Sequence, residues 1–141
     1  MPDEAAIRAL IERFIDAYRA KDVAGVMAAF APEIVSFDIV PPLQEVGSET
    51  FAKRWRKLFD SYGGPVQYEI RDLKVTVGGD VAFSHSLNHV TATLHDGRKS
   101  DHWLRWTACY RKIDEQWLIV HEQVSVPVDL KSGKAMLDLK P

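Results

Sequence analysis

Along the first sixty residues the apolar positions recur every three or four residues, and beyond them they alternate, so the chain divides into a helical part and a strand part. Ile7, Leu10, Ile11, Phe14, Ile15 and Tyr18 share one face of a helix that opens at Asp3, a side chain suited to capping its first turn. Val23, Val26, Met27 and Phe30 repeat the spacing after Asp22, and Pro32 closes this second helix. Ile34 to Ile39 is β-branched and aromatic, which predicts a short strand; it stops at Pro41 and Pro42, which bring no N–H to a ladder. A third helix is predicted from Ser48, with Phe51, Trp55, Leu58, Phe59 and Tyr62 on one face and Lys53, Arg54, Arg56 and Lys57 largely off it. Gly63, Gly64 and Pro65 end it.

Four long strands follow, Val66 to Val77, Val81 to Leu94, Lys99 to Ile113 and Trp117 to Val126. The turns between them are Gly78-Gly79-Asp80, Asp96-Gly97 and Asp114-Glu115-Gln116. Within the first strand the apolar residues change parity, from Val66, Tyr68 and Ile70 to Leu73, Val75 and Val77, the mark of an inserted bulge residue. Strands of about 14 residues would run ~45 Å if straight, too far for a domain of this size, so the sheet must curl. The pattern therefore predicts an α+β fold: three N-terminal helices packed on the concave face of a strongly curved antiparallel sheet. Residues 1–141 read as a single domain, without repeat or linker.

Composition narrows the partners. A net charge of −2 with 27% charged residues lacks the basic excess that nucleic acid or anionic lipid would demand. No stretch approaches the length of a membrane span and no cationic leader precedes the first helix, so the expected location is cytoplasmic. Cys109, the one cysteine, cannot form an internal disulfide and lies in an apolar run.

The order of helices and strands resembles the nuclear-transport-factor-2-like superfamily. Its SnoaL-like, ketosteroid-isomerase-homologue branch is resembled more closely still by Phe37-Asp38 with Pro41-Pro42-Leu43, Gly47, Trp55, Asp80-Val81-Ala82, Arg105 and Thr107. The most specific stretch is the closing run from Trp117 to Pro127, although Gln123 stands where that branch usually has a second histidine. The resemblance implies that helices and curved sheet form a cone with an internal pocket between them, and a dimer through the outer sheet face.

Asp38 is the first candidate for chemistry, because a carboxylate alternating with Phe37 and Ile39 must face water, a partner or a pocket. By resemblance it takes the place of an isomerase general base; the other reading is a carboxylate held at a strand end by backbone or an arginine. Phe14 stands where those isomerases carry the oxyanion tyrosine, and Trp106, Thr107 and Ala108 supply no second acid. His121 and Gln123, two apart on the last strand, share a face about 7 Å apart, and the resemblance makes that face the pocket. His121 is then the expected proton donor or orienter. Phe14, Tyr18, Trp55, His85, Trp106 and Gln123 are expected to contact ligand, as an apolar lining with few polar groups. His85 and His89 have a zinc-like spacing, but on a strand they lie about 13 Å apart and cannot share an ion; neither metal nor cofactor is expected.

The Lys99 to Ile113 strand is apolar on both sides, with Trp103 and Cys109 on one and Leu104, Trp106, Ala108 and Tyr110 on the other. That favours a homodimer through the outer face and leaves open whether Arg105 or Trp106 lines the pocket. The sequence thus points to a pocket for a small apolar molecule. The function is either proton transfer on a carbonyl compound, as in isomerases, cyclases or related lyases, or non-catalytic binding or oligomerisation on the same fold.

Overall fold

The computed structural model describes residues 2–141. Three helices come first: α1 (Pro2–Arg19), the short α2 (Val23–Met27) and, after a strand pair, α3 (Ser48–Asp60). Asp22 caps α2 by accepting from the Gly25 N–H at 3.0 Å. The strands are β1 (Phe30–Phe37), β2 (Glu45–Val46), β3 (Tyr62–Gly78), β4 (Val81–Leu94), β5 (Lys99–Ile113) and β6 (Gln116–Ser125), and a small hairpin of β7 (Val128–Asp129) and β8 (Lys134–Ala135) follows. The helix predicted to run on to Phe30 stops at Met27, and β1 begins at Phe30 and passes through Pro32.

Six strands form one open sheet in the order β2-β1-β6-β5-β4-β3. The sheet is antiparallel as expected except at β1, which runs parallel to β6, with Val35 opposite His121 and Phe37 opposite Gln123. The sheet is therefore mixed. It bends where β3 shifts register against β4 between Arg71 and Lys74, and Asp72 there has φ +59°, so the parity change marks a bulge. α1 buries Ile7, Leu10, Ile11, Phe14 and Tyr18 against the concave face, and α3 adds Phe51 and Phe59. Among the described residues no helix is long and apolar enough to cross a membrane.

Candidate functional site

Between α1, α3 and the concave side of the sheet lies a cavity of about 800 Å³, a size suited to a small organic ligand. Its walls are mainly rings. Phe14 stacks on Trp106 at 5.5 Å and meets Trp55 edge-on at 5.8 Å, while Tyr18 lies 4.6 Å from Tyr68. Phe14, Tyr18, Trp55 and Trp106 all line this space. The open question about β5 is resolved in favour of the Trp106 side. Arg105 points outward and donates to Ser125 at 3.0 Å.

Asp38 also lines the cavity, one residue beyond β1 and in step with the buried Ile34 and Ser36. It is not alone. Arg54 of α3 donates to its Oδ2 at 3.0 Å, and the Ile39 N–H donates to its Oδ1 at 2.7 Å. The second Arg54 nitrogen lies 3.6 Å from Glu45. The arrangement is the second of the two readings of this carboxylate, a strand-end anion held by arginine and backbone.

The residues expected beside Asp38 from β6 and β4 are elsewhere, and three placements are corrected. His121 lies on the outer face, where its Nδ1 donates to the Val35 carbonyl at 2.7 Å and its ring meets Phe37 edge-on at 4.7 Å. Gln123, of the same parity, is exposed. The cause is a bulge: β6 shifts register against β5 between Cys109 and Tyr110, which face His121 and Ile119, so Val120 is the extra residue. Inward parity passes from Ile119 to Glu122. His85 is exposed as well, because Ser84, Ser86, Asn88 and Val90 are the inward set of β4. Asp38 and His121 thus stand on opposite sides of the sheet.

Glu122, which the sequence reading passed over between its two candidates, holds the position they were assigned. It is 3% exposed and lines the cavity. Ser36 donates to its Oε2 at 2.8 Å and the Trp106 indole N–H to its Oε1 at 2.9 Å. Burial, reinforced by the negative charge of Asp38, outweighs these two donors and Arg54 and pushes the Glu122 carboxyl up to about 7. A carboxyl poised there exchanges protons readily near neutral pH. A signal existed in the sequence, since a glutamate inside an apolar run on a central strand must be paired or functional, but the run carried no mark of the bulge.

The opposite wall carries a second polar group of side chains. Tyr18 and Tyr62 join hydroxyls at 2.8 Å, and Asn88 Nδ2 donates to the Tyr68 hydroxyl at 2.5 Å while its Oδ1 accepts from Ser86 at 2.6 Å. All of Tyr62, Tyr68 and Asn88 line the cavity; Tyr68 and Asn88 were missed because each fits an ordinary alternating pattern, and Tyr62, expected on the third helix, instead opens β3 after α3 has ended at Asp60. No cluster among the described residues has the composition and geometry of a metal site.

The SnoaL-like domain profile matches residues 7–129. An NTF2-like protein of unknown function from Pseudomonas putida KT2440 is 36% identical over 99% of this chain and 97% of its own, with a TM-score of 0.91. A ketosteroid isomerase-like protein from Erwinia carotovora atroseptica SCRI1043 shares the fold at 24% identity, covering 86% of this chain and 93% of its own, TM-score 0.74. An NTF2-like superfamily protein from Salmonella enterica serovar Typhimurium LT2 does so at 21% identity, over 92% and 94%, TM-score 0.78. No curated protein matches the chain. With the profile spanning most of its length and the cavity in place between helices and sheet, the chain belongs to the SnoaL-like domain family of the NTF2-like superfamily.

Proposed function

We propose that this protein is a cofactor-independent proton-transfer enzyme of the isomerase or cyclase type, acting on a small apolar carbonyl compound, with Glu122 as the group that takes and returns the proton. The observation that carries the reading is a buried carboxyl, raised to about 7, in the wall of a largely aromatic cavity. In the ionised form Glu122 removes a proton from the carbon next to the carbonyl. The C–H electron pair becomes a C=C bond as the carbonyl π pair moves to oxygen. The neutral acid then returns the proton to the same carbon or, where a second C=C is conjugated with the enolate, to its far carbon, whose π pair forms the new C–H bond as the enolate C=C pair shifts one bond along and the oxygen's electrons reform the carbonyl. Asp38, kept at the cavity mouth by Arg54, acts on this step through its charge, which raises Glu122's hold on the proton.

Exchange of α-protons of 1-tetralone in D2O, followed by proton NMR at pH 7, tests this. Acceleration over buffer is expected, falling by about 10²-fold or more in Glu122→Gln; equal exchange in variant and parent would sink the assignment. A non-catalytic ligand pocket is the second reading, favoured because both Glu122 oxygens already accept a hydrogen bond. It predicts saturable binding of the ketone with no exchange above buffer.

A further inference from the structure

The link from β1 to β2 lies at the mouth of the cavity and is fastened only at its two ends. Asp38, Ile39, Val40, Pro41, Pro42 and Glu45 line the cavity from this side, and Leu58 of α3 is a lining residue as well. Among the described residues, no backbone group of residues 39–44 bonds another backbone group, and β2 meets β1 through two residue pairs. Ile39 and Val40 are exposed and Leu43 is 95% exposed, so an apolar run stands in water beside an apolar cavity. Both ends of this run meet one guanidinium. Arg54 of α3 bonds Asp38 through Nη2 at 3.0 Å, and its Nη1 stands 3.6 Å from Glu45 Oε1. Nη1 makes no hydrogen bond although it is buried, with almost no surface of its own for a ligand to reach. A buried donor without an acceptor costs free energy, which an approach of the Glu45 carboxylate to about 3.0 Å recovers.

We propose that residues 39–44 are a lid, hinged at Asp38 and Glu45, that closes over an apolar molecule in the cavity as Glu45 joins Asp38 on Arg54. In the structure Arg54 holds the base of the lid by one bond; closed, it holds it by two. An occupant supplies the driving force, because Ile39, Val40 and Leu43 then leave water for the ligand and for Leu58, itself partly exposed on α3. Over an empty cavity there is no such gain, and the entropy of a segment without backbone bonds keeps the lid open. The lid needs an occupied cavity and not the proton transfer proposed above. Where that reaction also takes place, a closed lid keeps bulk water from the ionised Glu122.

Amide hydrogen exchange and stopped-flow tryptophan fluorescence on the intact protein, with 1-tetralone as the probe, test the lid. Without tetralone the Ile39, Val40, Leu43 and Gln44 amides should exchange nearly as fast as in an unstructured chain, and at saturation they should slow by about tenfold or more. Glu45→Ala removes the second partner of Arg54 and leaves the first, Asp38, in place. This variant should lose most of that protection and release tetralone about tenfold faster, the worth of one hydrogen bond to a charged group. Arg54→Met frees both ends and should release it faster still; the Glu45 variant decides alone should this second one not fold. Lid amides that exchange equally with and without bound tetralone, equal release from Glu45→Ala and the parent, or no binding of tetralone overturns the proposal. A lid that closes in a protein that exchanges no α-protons refutes the proton-transfer reading and leaves the lid in place.

Discussion

At Glu122 the physical chemistry of one side chain reaches both stability and reaction. Its carboxyl moves from the ordinary 4.5 to about 7 on folding, chiefly through burial. A raised carboxyl binds its proton more tightly in the folded state. Its contribution therefore favours folding fully below about pH 4.5 and is lost as pH rises through about 7. The shift corresponds to roughly 3 kcal/mol at full titration, as an order of magnitude. Glu122→Gln keeps an oxygen for Trp106 and an amide N–H for Ser36 but never ionises. Its melting temperature should lie near the parent's at pH 4.5, climb above it between pH 5 and 7, and level off beyond pH 8, several degrees higher. Calorimetry across that range checks it. A difference independent of pH would mean that Glu122 does not change charge on folding.

At the scale of elements, two bulges decide which side chains meet in the cavity. The one in β3 was legible, because Tyr68 and Ile70 give way to Leu73 and Val75 and the parity break shows in the residue types. The one in β6 was not. Leu118, Ile119 and Val120 are apolar whichever way they face, so an extra residue at Val120 leaves no trace in the pattern while exchanging His121 for Glu122. Helix faces survived translation better. Phe14, Tyr18 and Trp55 reached the cavity because three-and-four spacing tolerates a shift at a helix end, whereas strand parity tolerates none. Contacts between elements were hidden for another reason: nothing local in the sequence pairs Asp38 after β1 with Arg54 on α3. That pair joins the end of β1 to α3 with both side chains largely covered, 27% and 19% exposed. Asp38→Asn should lower stability at pH 7 by about 1 kcal/mol, read by urea unfolding. Because the charge of Asp38 raises Glu122, the same variant should also shift the Glu122 titration downward in carboxyl NMR. A variant as stable as the parent, with that titration unmoved, would show that the ion pair neither anchors α3 nor acts on the site.

Across the whole molecule, the outer face of the sheet is divided. At one end its groups satisfy one another: the His89 nitrogens lie 2.9 Å from Glu69 and 2.6 Å from Asp101, and Trp103 stacks on His89 with the Arg71 guanidinium 4.9 Å from its ring centre. At the other end Phe83 on β4, Cys109 on β5, His121 on β6 and Val35 on β1 fall opposite one another in register, with Val81 and Phe37 beside them. Val81 is 53% exposed, Phe83 49% and Phe37 39%. Such a stripe across four strands suits a symmetric contact, in which each copy presents the same patch to the other. The homodimer expected from the sequence is therefore proposed to form along this stripe. Trp103 is excluded as its centre by its own neighbours, and Tyr110 cannot probe it, since Tyr110 is 1% exposed on the inner side and bonded to Ser84. Phe83→Asp places a charge at the patch centre without disturbing the cavity wall. Light scattering at micromolar concentration should give a dimer for the parent and a monomer for Phe83→Asp, with circular dichroism unchanged. A parent that is already monomeric would remove the outer face as an assembly surface, and a variant that stays dimeric would move the interface elsewhere.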